Sequence, residues 1–541
     1  MPPQGFRCDC TDNVRWHDAS AERGHSNFQF VDEHYESQHT VRRIFSLARK
    51  LGFNSFCTES ISPSSSLLQE EDECLRTRNC GFLRSEVTRI SFFRTTLENA
   101  EQGIFASEEY LGYAVIKKDI CNPTDNSQLY VYESVLPTYR DEKANNFLHC
   151  HRRYQVQYPF GTFSVVGSLY AQQNGLTFVC AHVALRSVLS LVLNEGDISY
   201  TEINHLAGIS TSNGDTGLGK GMSDTQLEKV LQKKNIAYRK IIHEPAAPKY
   251  VNKPIFSFCI LCEFLYALCS KIFLFISRKE KERIIDEGQC KQSIRRDYSR
   301  HLYGFIEANC PSLLLFQTQD SAHVVPVIGH TFNEDMWVPD ADDYFSKKQY
   351  FSSERWLSTF LIHDDNYGPY LCLPKNYLDG KSVAIYGLGQ DTKSLCFDGV
   401  EITALERLIW FANAIPFQKD VDWYDKFVTF AHNKMLVLRP VFIDRHSYLR
   451  QLQNIPDTIT TRLVTNLPEV FWVVEVSFPE LFSATRAKIG DVILICKNVR
   501  KDFSANIIPL FLRLPGFVYF EGEDQIIPFD CDCHVRQLKN Y

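Results

Sequence analysis

The stretch QQNGLTFVCAHVALRSVL, residues 172–189, decides the fold that we expect for the centre of this chain. Apolar residues follow Cys180 at helical spacing, which predicts a buried helix with this thiol in its first turn. A thiol is a strong nucleophile only as its thiolate, and a helix N-terminus or a nearby imidazolium favours that anion. Cys180 is therefore the candidate nucleophile.

His323 is the candidate partner of this thiol. It lies at the start of an apolar run, Ala322–Gly329, that is typical of a buried strand. After a turn, Asp340 could return on the neighbouring antiparallel strand and hold one imidazole nitrogen while the other nitrogen meets the thiol. Asp342 and Asp335 are the alternative carboxylates for this role.

Two glutamines complete the set of candidate residues. Gln172 or Gln173 could direct a side-chain amide at a developing oxyanion, beside the backbone N–H of Cys180. Taken alone, a cysteine in an apolar helix is usually a small buried hydrophobe, and a lone histidine is usually structural. The ordered combination of Cys, His and Asp in fitting helix and strand contexts favours a catalytic site over these structural interpretations.

Four further segments fit this order of a cysteine helix followed by a histidine strand. They are YTEINHLAG (200–208), SDTQLEKVLQKKNIAY (223–238), IEANCPSLLLF (306–316) and HVVPVIGHTFNEDMWVPDAD (323–342). With these segments, Tyr154–Pro374 resembles papain-like cysteine peptidases, in the branch similar to the peptidase domains that process double-glycine leader peptides. The resemblance assigns the family's site to Gln173, Cys180, His323 and Asp340. Gln173 lies seven residues before the cysteine, where the family usually has six, and Ala181 stands where glycine is common.

The resemblance implies an α+β central domain in which the helix that bears the cysteine packs on an antiparallel sheet that bears the histidine and the aspartate. It also implies cleavage of an amide bond in a peptide or protein substrate through an acyl-thioenzyme. Two alternatives stay open. The same triad serves glutamine deamidases and amide transferases, and an inactive descendant would keep the fold as a binding or scaffold protein.

The length of 541 residues favours several domains, and we expect three. The boundaries are an N-terminal mixed α/β domain over 1–150, the papain-like domain over 151–375 with an insertion near 245–300, and a C-terminal α+β domain over 376–541. Lys and Arg number 58 against 65 Asp and Glu, and this mild acidic excess argues against a nucleic-acid partner. The 18 scattered cysteines and the polar start, Met1 to His17, favour reduced thiols in a cytoplasmic protein.

The most apolar segment is Ile255–Ile276. It is long enough to span a bilayer, but Glu263 and Lys271 would then lie in the hydrocarbon, and a crossing would separate the candidate cysteine and histidine. We therefore expect an inserted helical hairpin that packs on its own domain, on a partner or on a membrane surface. A stretch foreign to the fold is the remaining interpretation.

Other motifs carry weaker signals. The glycine-rich residues 214–221 lack the Ser or Thr of a P-loop, and the cysteines near the two termini (Cys8, Cys10, Cys531, Cys533) have one-residue spacings that are unusual for zinc. No cofactor and no metal is therefore expected. His363-Asp364-Asp365-Asn366 is interpreted first as a polar turn, which could also border the cleft or bind a cation. The basic side of a helix over Thr40–Leu51 is interpreted as a solvated surface.

Overall fold

The protein is described by a computed structural model. The described residues are 10–19, 27–61, 66–77, 81–122, 127–137, 146–148, 150–174, 179–209, 221–243, 298–317, 322–332, 342–344, 348–379, 381–389, 399–414, 422–433, 435–451, 457–497, 506–515, 517–521, 525–528 and 536–537. They form a mixed α+β structure whose three large sheets are mainly antiparallel.

The N-terminal part is a five-stranded antiparallel sheet in which the strands follow one another in chain order. Its elements are β1 (Cys10–Asp18), α1 (Asn27–His34), α2 (His39–Lys50), β2 (Ser55–Ile61), α3 (Ser66–Thr77), β3 (Phe82–Phe93), α4 (Leu97–Glu101), β4 (Tyr110–Cys121) and β5 (Gln128–Val135). The predicted helix over Thr40–Leu51 is confirmed as α2. Its apolar face, which includes Ile44 and Phe45, is buried, and the chain leaves the helix through Gly52 at a φ of 81°.

The central part holds the candidate catalytic residues. Its elements are β6 (Asn146–Leu148), β7 (Arg152–Tyr158), β8 (Gly161–Gly167), α5 (Cys180–Val192), α6 (Tyr200–Ala207), α7 (Asp224–Lys233), β9 (Tyr238–His243), α8 (Tyr298–Glu307), β10 (Ser312–Gln317), β11 (Ala322–Phe332), β12 (Asp342–Tyr344), β13 (Lys348–Ser352), β14 (Leu357–Asp364), β15 (Gly368–Pro374) and β16 (Val383–Leu388). The strand order of its sheet is β15-β14-β11-β10-β16-β9, with β6 paired to β11. Helix α5 packs on β10 and β11.

The capping box predicted for α7 is confirmed. The hydroxyl of Ser223 accepts a hydrogen bond from the backbone N–H of Gln226 at 3.3 Å, and the Gln226 side chain accepts one from the backbone N–H of Ser223 at 2.9 Å. These reciprocal bonds satisfy backbone donors that the helix itself leaves unpaired. A local sequence signal thus fixes where this helix begins.

The C-terminal part is built on an eight-stranded sheet. Its elements are α9 (Val400–Ala414), α10 (Asp422–His432), β17 (Val437–Asp444), α11 (Arg445–Gln451), α12 (Asp457–Asn466), β18 (Val470–Ser477), α13 (Pro479–Thr485), β19 (Ala487–Lys488), β20 (Gly490–Lys497), β21 (Asn506–Leu514), β22 (Phe517–Phe520), β23 (Gln525–Pro528) and β24 (Arg536–Gln537). The strand order of the large sheet is β12-β13-β17-β18-β20-β21-β22-β23, and β19 pairs with β24.

The sheets do not divide where the sequence placed the boundary at residue 375. Strand β16, expected in the C-terminal domain, pairs with β10 and β9 of the central sheet. Strand β13, expected in the central domain, pairs in parallel with β17 of the C-terminal sheet. The chain between β11 and β16 therefore crosses to the other sheet and returns.

Buried charges join the central and C-terminal parts. Glu307 at the end of α8 accepts a hydrogen bond from His330 at 2.7 Å and one from Arg439 of β17 at 2.8 Å. Arg439 also donates to Glu475 of β18 at 3.0 Å. Each of these side chains is at most 1% exposed, and burial lowers the pKa of His330. These buried ion pairs therefore link a helix of the central part to two strands of the C-terminal sheet.

Several sequence predictions concern residues outside the described ones. They are Asp335, Asp340, the glycine-rich residues 214–220, the apolar segment Ile255–Ile276, and the terminal positions Cys8, Cys531 and Cys533. Asp342 lies in β12. Within the part of the chain that the structure describes, no helix combines the length and apolar character that a bilayer crossing requires.

Candidate active site

Cys180 is the first residue of α5, as the sequence predicts. Val179 precedes it in an extended conformation (φ −124°, ψ 179°), and the body of the helix after Cys180 is buried. The thiol itself is only partly buried. Its position in the first turn puts the sulfur beside the positive end of the helix dipole while leaving it accessible to solvent.

His323 lies near the start of β11, also as predicted, and interaction with Cys180 is one of the causes that raise the pKa of its imidazole. This interaction follows from the packing of α5 on this strand. Phe316, the partner of His323 across β10 and β11, packs edge-on against the imidazole at a centroid separation of 5.5 Å. The structure thus brings together two residues that the sequence paired across a long separation.

Two carboxylates face the same imidazole. Oδ2 of Asp364 lies 3.2 Å from Nε2 of His323, and Oδ1 of Asp365 lies 3.6 Å from the same nitrogen. Asp364 is held in place because its other oxygen accepts the backbone N–H groups of Asn366 at 2.8 Å and Tyr367 at 3.3 Å. This arrangement caps the turn between β14 and β15 and directs the carboxylate at His323.

The pKa of His323 is raised to about 10. Burial alone would lower it, but the hydrogen bonds with Asp364 and Cys180 and the charges of Asp365 and Asp364 outweigh that effect. The imidazole is therefore protonated at neutral pH.

Asp365 is buried, with 5% of its surface exposed. Burial is the main reason why the pKa of Asp365 is raised to about 6. The positive charge of His323 opposes this effect, and the negative charge of Asp364 adds to it. Asp365 therefore changes its charge near pH 6, in direct contact with the imidazolium.

The two candidate glutamines have different surroundings. Oε1 of Gln172 accepts hydrogen bonds from the Gln38 side chain at 3.2 Å and from the backbone of Val131 at 3.1 Å, which ties it to the N-terminal part. The side-chain amide of Gln173 donates to Oδ1 of Asn366 at 3.2 Å. Gln173 is therefore the glutamine that lies beside the turn bearing the carboxylates.

Two carboxylates that the sequence did not choose as the orienting residue lie at His323. Asp340 lies outside the described residues, so its role stays a prediction, whereas the structure places Asp364 and Asp365 at His323. The sequence had indicated these two residues as part of a polar turn that could border the cleft or bind a cation. The signal that could have found them is the acidic pair at the end of strand β14, of which Asp364 is the last residue.

Two neighbouring histidines do not take part. His182 is buried and hydrogen-bonds to the Asn204 side chain at 2.8 Å, which fits the structural role predicted for it. His363 is buried next to Asp364, and its Nδ1 hydrogen-bonds to the backbone carbonyl of Leu169 at 3.1 Å. Burial lowers the pKa of His363 to about 3, so its ring stays neutral.

The ligand atoms of His323, Asp364 and Asp365 lie within 4.8 Å of one another, close enough for a small cation to bridge them. A cation would have to displace the proton that the raised pKa keeps on His323. We therefore assign both carboxylates to the imidazolium.

Other thiols have different environments. Cys57 and Cys150 are fully buried, and burial raises the pKa of each. Cys372 on β15 is exposed. These residues provide comparison thiols for the chemistry of Cys180.

No family model, curated protein or solved structure matches this chain. Its function is therefore inferred from the arrangement of the residues themselves.

Proposed function

We propose that this chain is a cysteine hydrolase, with a papain-like central domain that cleaves an amide bond in a peptide or protein. The observation that carries the proposal is the group around His323: the imidazole hydrogen-bonds to Asp364 at 3.2 Å, and interaction with Cys180 is among the causes that raise its pKa. A buried structural cysteine has no need of a protonated histidine, whereas a nucleophile does. The packing of α5 on an antiparallel sheet also agrees with the proposal.

In the proposed reaction, the sulfur anion of Cys180 attacks the carbonyl carbon of the substrate, and the electron pair of the C=O bond moves to oxygen. The backbone N–H of Cys180 and the amide of Gln173 are the donors for this oxyanion. When the oxyanion collapses, the C–N bond breaks and His323 transfers its proton to the leaving amine. An acyl-thioenzyme remains.

Water then attacks the thioester carbon and gives a proton to His323, and the C–S bond breaks to restore the thiolate and the imidazolium. Asp364 orients the imidazole through Nε2 and stabilises its positive charge throughout the cycle. Asp365 contributes a second negative charge at 3.6 Å.

An alkylating activity probe tests the proposal. Wild-type protein should be labelled on Cys180 at pH 6, where an ordinary thiol with a pKa of about 8.5 is almost entirely protonated. Cys180→Ala should lose this labelling, and His323→Ala should slow it strongly. Cys372→Ala is the matched control, because Cys372 is an exposed thiol outside the site. Equal labelling of Cys180 in wild type and His323→Ala at pH 6 would refute a catalytic pair.

Product analysis then identifies the reaction. A new amine terminus in a peptide library indicates proteolysis, whereas release of ammonia from a glutamine substrate indicates a deamidase that uses the same acyl-thioenzyme. If Cys180 reacts with the probe but no amide substrate is turned over, the amide-hydrolase proposal fails and a binding role replaces it.

A further inference from the structure

We propose that helix α2 of the N-terminal part is an element of the active site, in which His39 and Arg43 are positioning residues for the turn that carries Asp364 and Asp365. This inference rests on the function proposed above. It adds to the machinery of the central domain a helix that lies more than 300 residues earlier in the chain.

Arg43 makes the main contact. Its Nε donates to the backbone carbonyl of Pro369 and its Nη2 to that of Tyr370, both at 2.6 Å. The guanidinium is planar and presents its donors in a fixed fork, so two bonds to consecutive carbonyls define both the position and the direction of the strand that receives them. That strand is β15, which begins where the turn ends.

Gly368 shows how closely Arg43 approaches this turn. Its φ of 118° lies in the region that favours glycine, and a Cβ atom added there would lie 2.6 Å from Cδ of Arg43. Gly368 pairs with Asp364 across the β14–β15 hairpin. The arginine therefore packs directly against the residue opposite the orienting carboxylate.

His39 contacts the same turn from the start of α2. Its Nε2 hydrogen-bonds to the backbone carbonyl of Asn366, whose side chain accepts from Gln173. The preceding residue, Gln38, donates to the side chain of Gln172 at 3.2 Å. The beginning of α2 thus touches both the glutamine segment and the carboxylate turn.

A displacement of the turn would weaken the hydrogen bond between His323 and Asp364. At 3.2 Å, this hydrogen bond has little room to lengthen before it is lost, and Asn366 and Tyr367 in the turn are exposed. A shift of the turn by about 1 Å would remove the bond, and errors of that size in a reacting group can reduce rates about a hundredfold. The contacts from α2 prevent this shift.

Arg43→Ala and Arg42→Ala form a matched pair for the test. Both arginines lie on α2, but Arg42 pairs with Asp32 at the surface. We expect Arg43→Ala to slow the alkylation of Cys180 about tenfold at pH 6 and to leave it within about twofold of wild type at pH 9, where thiolate forms without help. Arg42→Ala should match wild type at both pH values.

This pH pattern distinguishes positioning from general damage, because a loosened fold would change the rate at both pH values. The titratable groups around His323 are Cys180 from α5 and Asp364 and Asp365 from the turn; Phe316 from β10 is uncharged. Arg43→Lys should fall between Arg43→Ala and wild type, since one ammonium cannot reproduce the two bonds of the fork. Melting temperatures check that each variant is folded.

A second measurement separates this inference from the proposed function. The titration of His323, followed by NMR in protein labelled at histidine and assigned with His323→Gln, requires no enzymatic activity. We expect the pKa of His323 to fall in Arg43→Ala and to stay unchanged in Arg42→Ala. If wild-type Cys180 is not labelled at pH 6, the proposed hydrolase function is refuted. The titration of His323 still tests whether Arg43 positions the turn. An unchanged His323 titration in folded Arg43→Ala would overturn the inference.

Discussion

His323 and Asp364, 41 residues apart in the chain, meet through a hydrogen bond of 3.2 Å between Nε2 and Oδ2. The second oxygen of Asp364 is engaged by the backbone of its own turn, so the carboxylate can neither rotate nor move away freely. An imidazole held in this way has a fixed orientation and a stabilised positive charge. Asp364 is therefore the residue whose replacement tests the site most directly.

Asp364→Asn should slow the alkylation of Cys180 at pH 6 by at least about tenfold, because an opposite charge at this range raises a histidine pKa by about one to three units. The amide can still accept the N–H groups of the turn, so the fold should be preserved. The rate is measured with the same probe at several pH values. Asp340→Asn is the matched variant, since Asp340 is the orienting residue that the sequence indicates. A larger loss in Asp340→Asn than in Asp364→Asn would restore Asp340 to that role.

The pH dependence of amide hydrolysis should show a wide plateau. His323 has a pKa of about 10 and must be protonated to give its proton to the leaving amine, so activity should fall as the pH rises through about 10. An unperturbed histidine would lose its proton near pH 6.5 and give the opposite result, with activity already declining below neutrality. Initial rates on a peptide substrate between pH 5 and about 11 measure this profile. A decline centred near pH 7 would contradict the charged state of the imidazole.

Asp365 should determine how the rate of amide hydrolysis falls at acid pH. Its pKa of about 6 means that it loses its negative charge as the pH falls through that value, and the imidazolium then loses one of its two anionic partners. Asp365→Asn should therefore remove the inflection near pH 6 and give a lower rate at neutral pH. The control is Asp18→Asn, which replaces an exposed carboxylate on β1. If the inflection survives in Asp365→Asn, another group is responsible for it.

Local patterns predicted the elements that bear the thiol and the imidazole. The periodicity after Cys180 belongs to α5, and the apolar run from Ala322 belongs to β11. Both are encoded within a dozen neighbouring residues, where helical and strand spacing can be recognised directly. The structure agrees with the sequence at this level.

Long-range pairing could not be predicted in the same way. A short hairpin after β11 was the reason for choosing Asp340. Among the described residues, the later strand that pairs with β11 is β14, which begins only at Leu357. The intervening chain supplies β13 to the other sheet. Likewise, Arg43 resembles any solvated arginine until the packing of α2 on β15 is known.

The last prediction concerns the buried charges between the central and C-terminal parts. Arg439 is 1% exposed and donates to both Glu307 and Glu475. Arg439→Met would therefore remove the positive charge of the guanidinium from two carboxylates that stay buried in the protein interior. Removing one partner of a buried pair costs about 3–5 kcal/mol, and we expect a clear fall in the urea midpoint of unfolding. Arg450→Met, which replaces an exposed arginine that hydrogen-bonds to Ser447, should leave the midpoint unchanged. An equal midpoint in Arg439→Met and wild type would mean that the apolar contacts between the two parts suffice, and that the buried charges are retained for some reason other than stability.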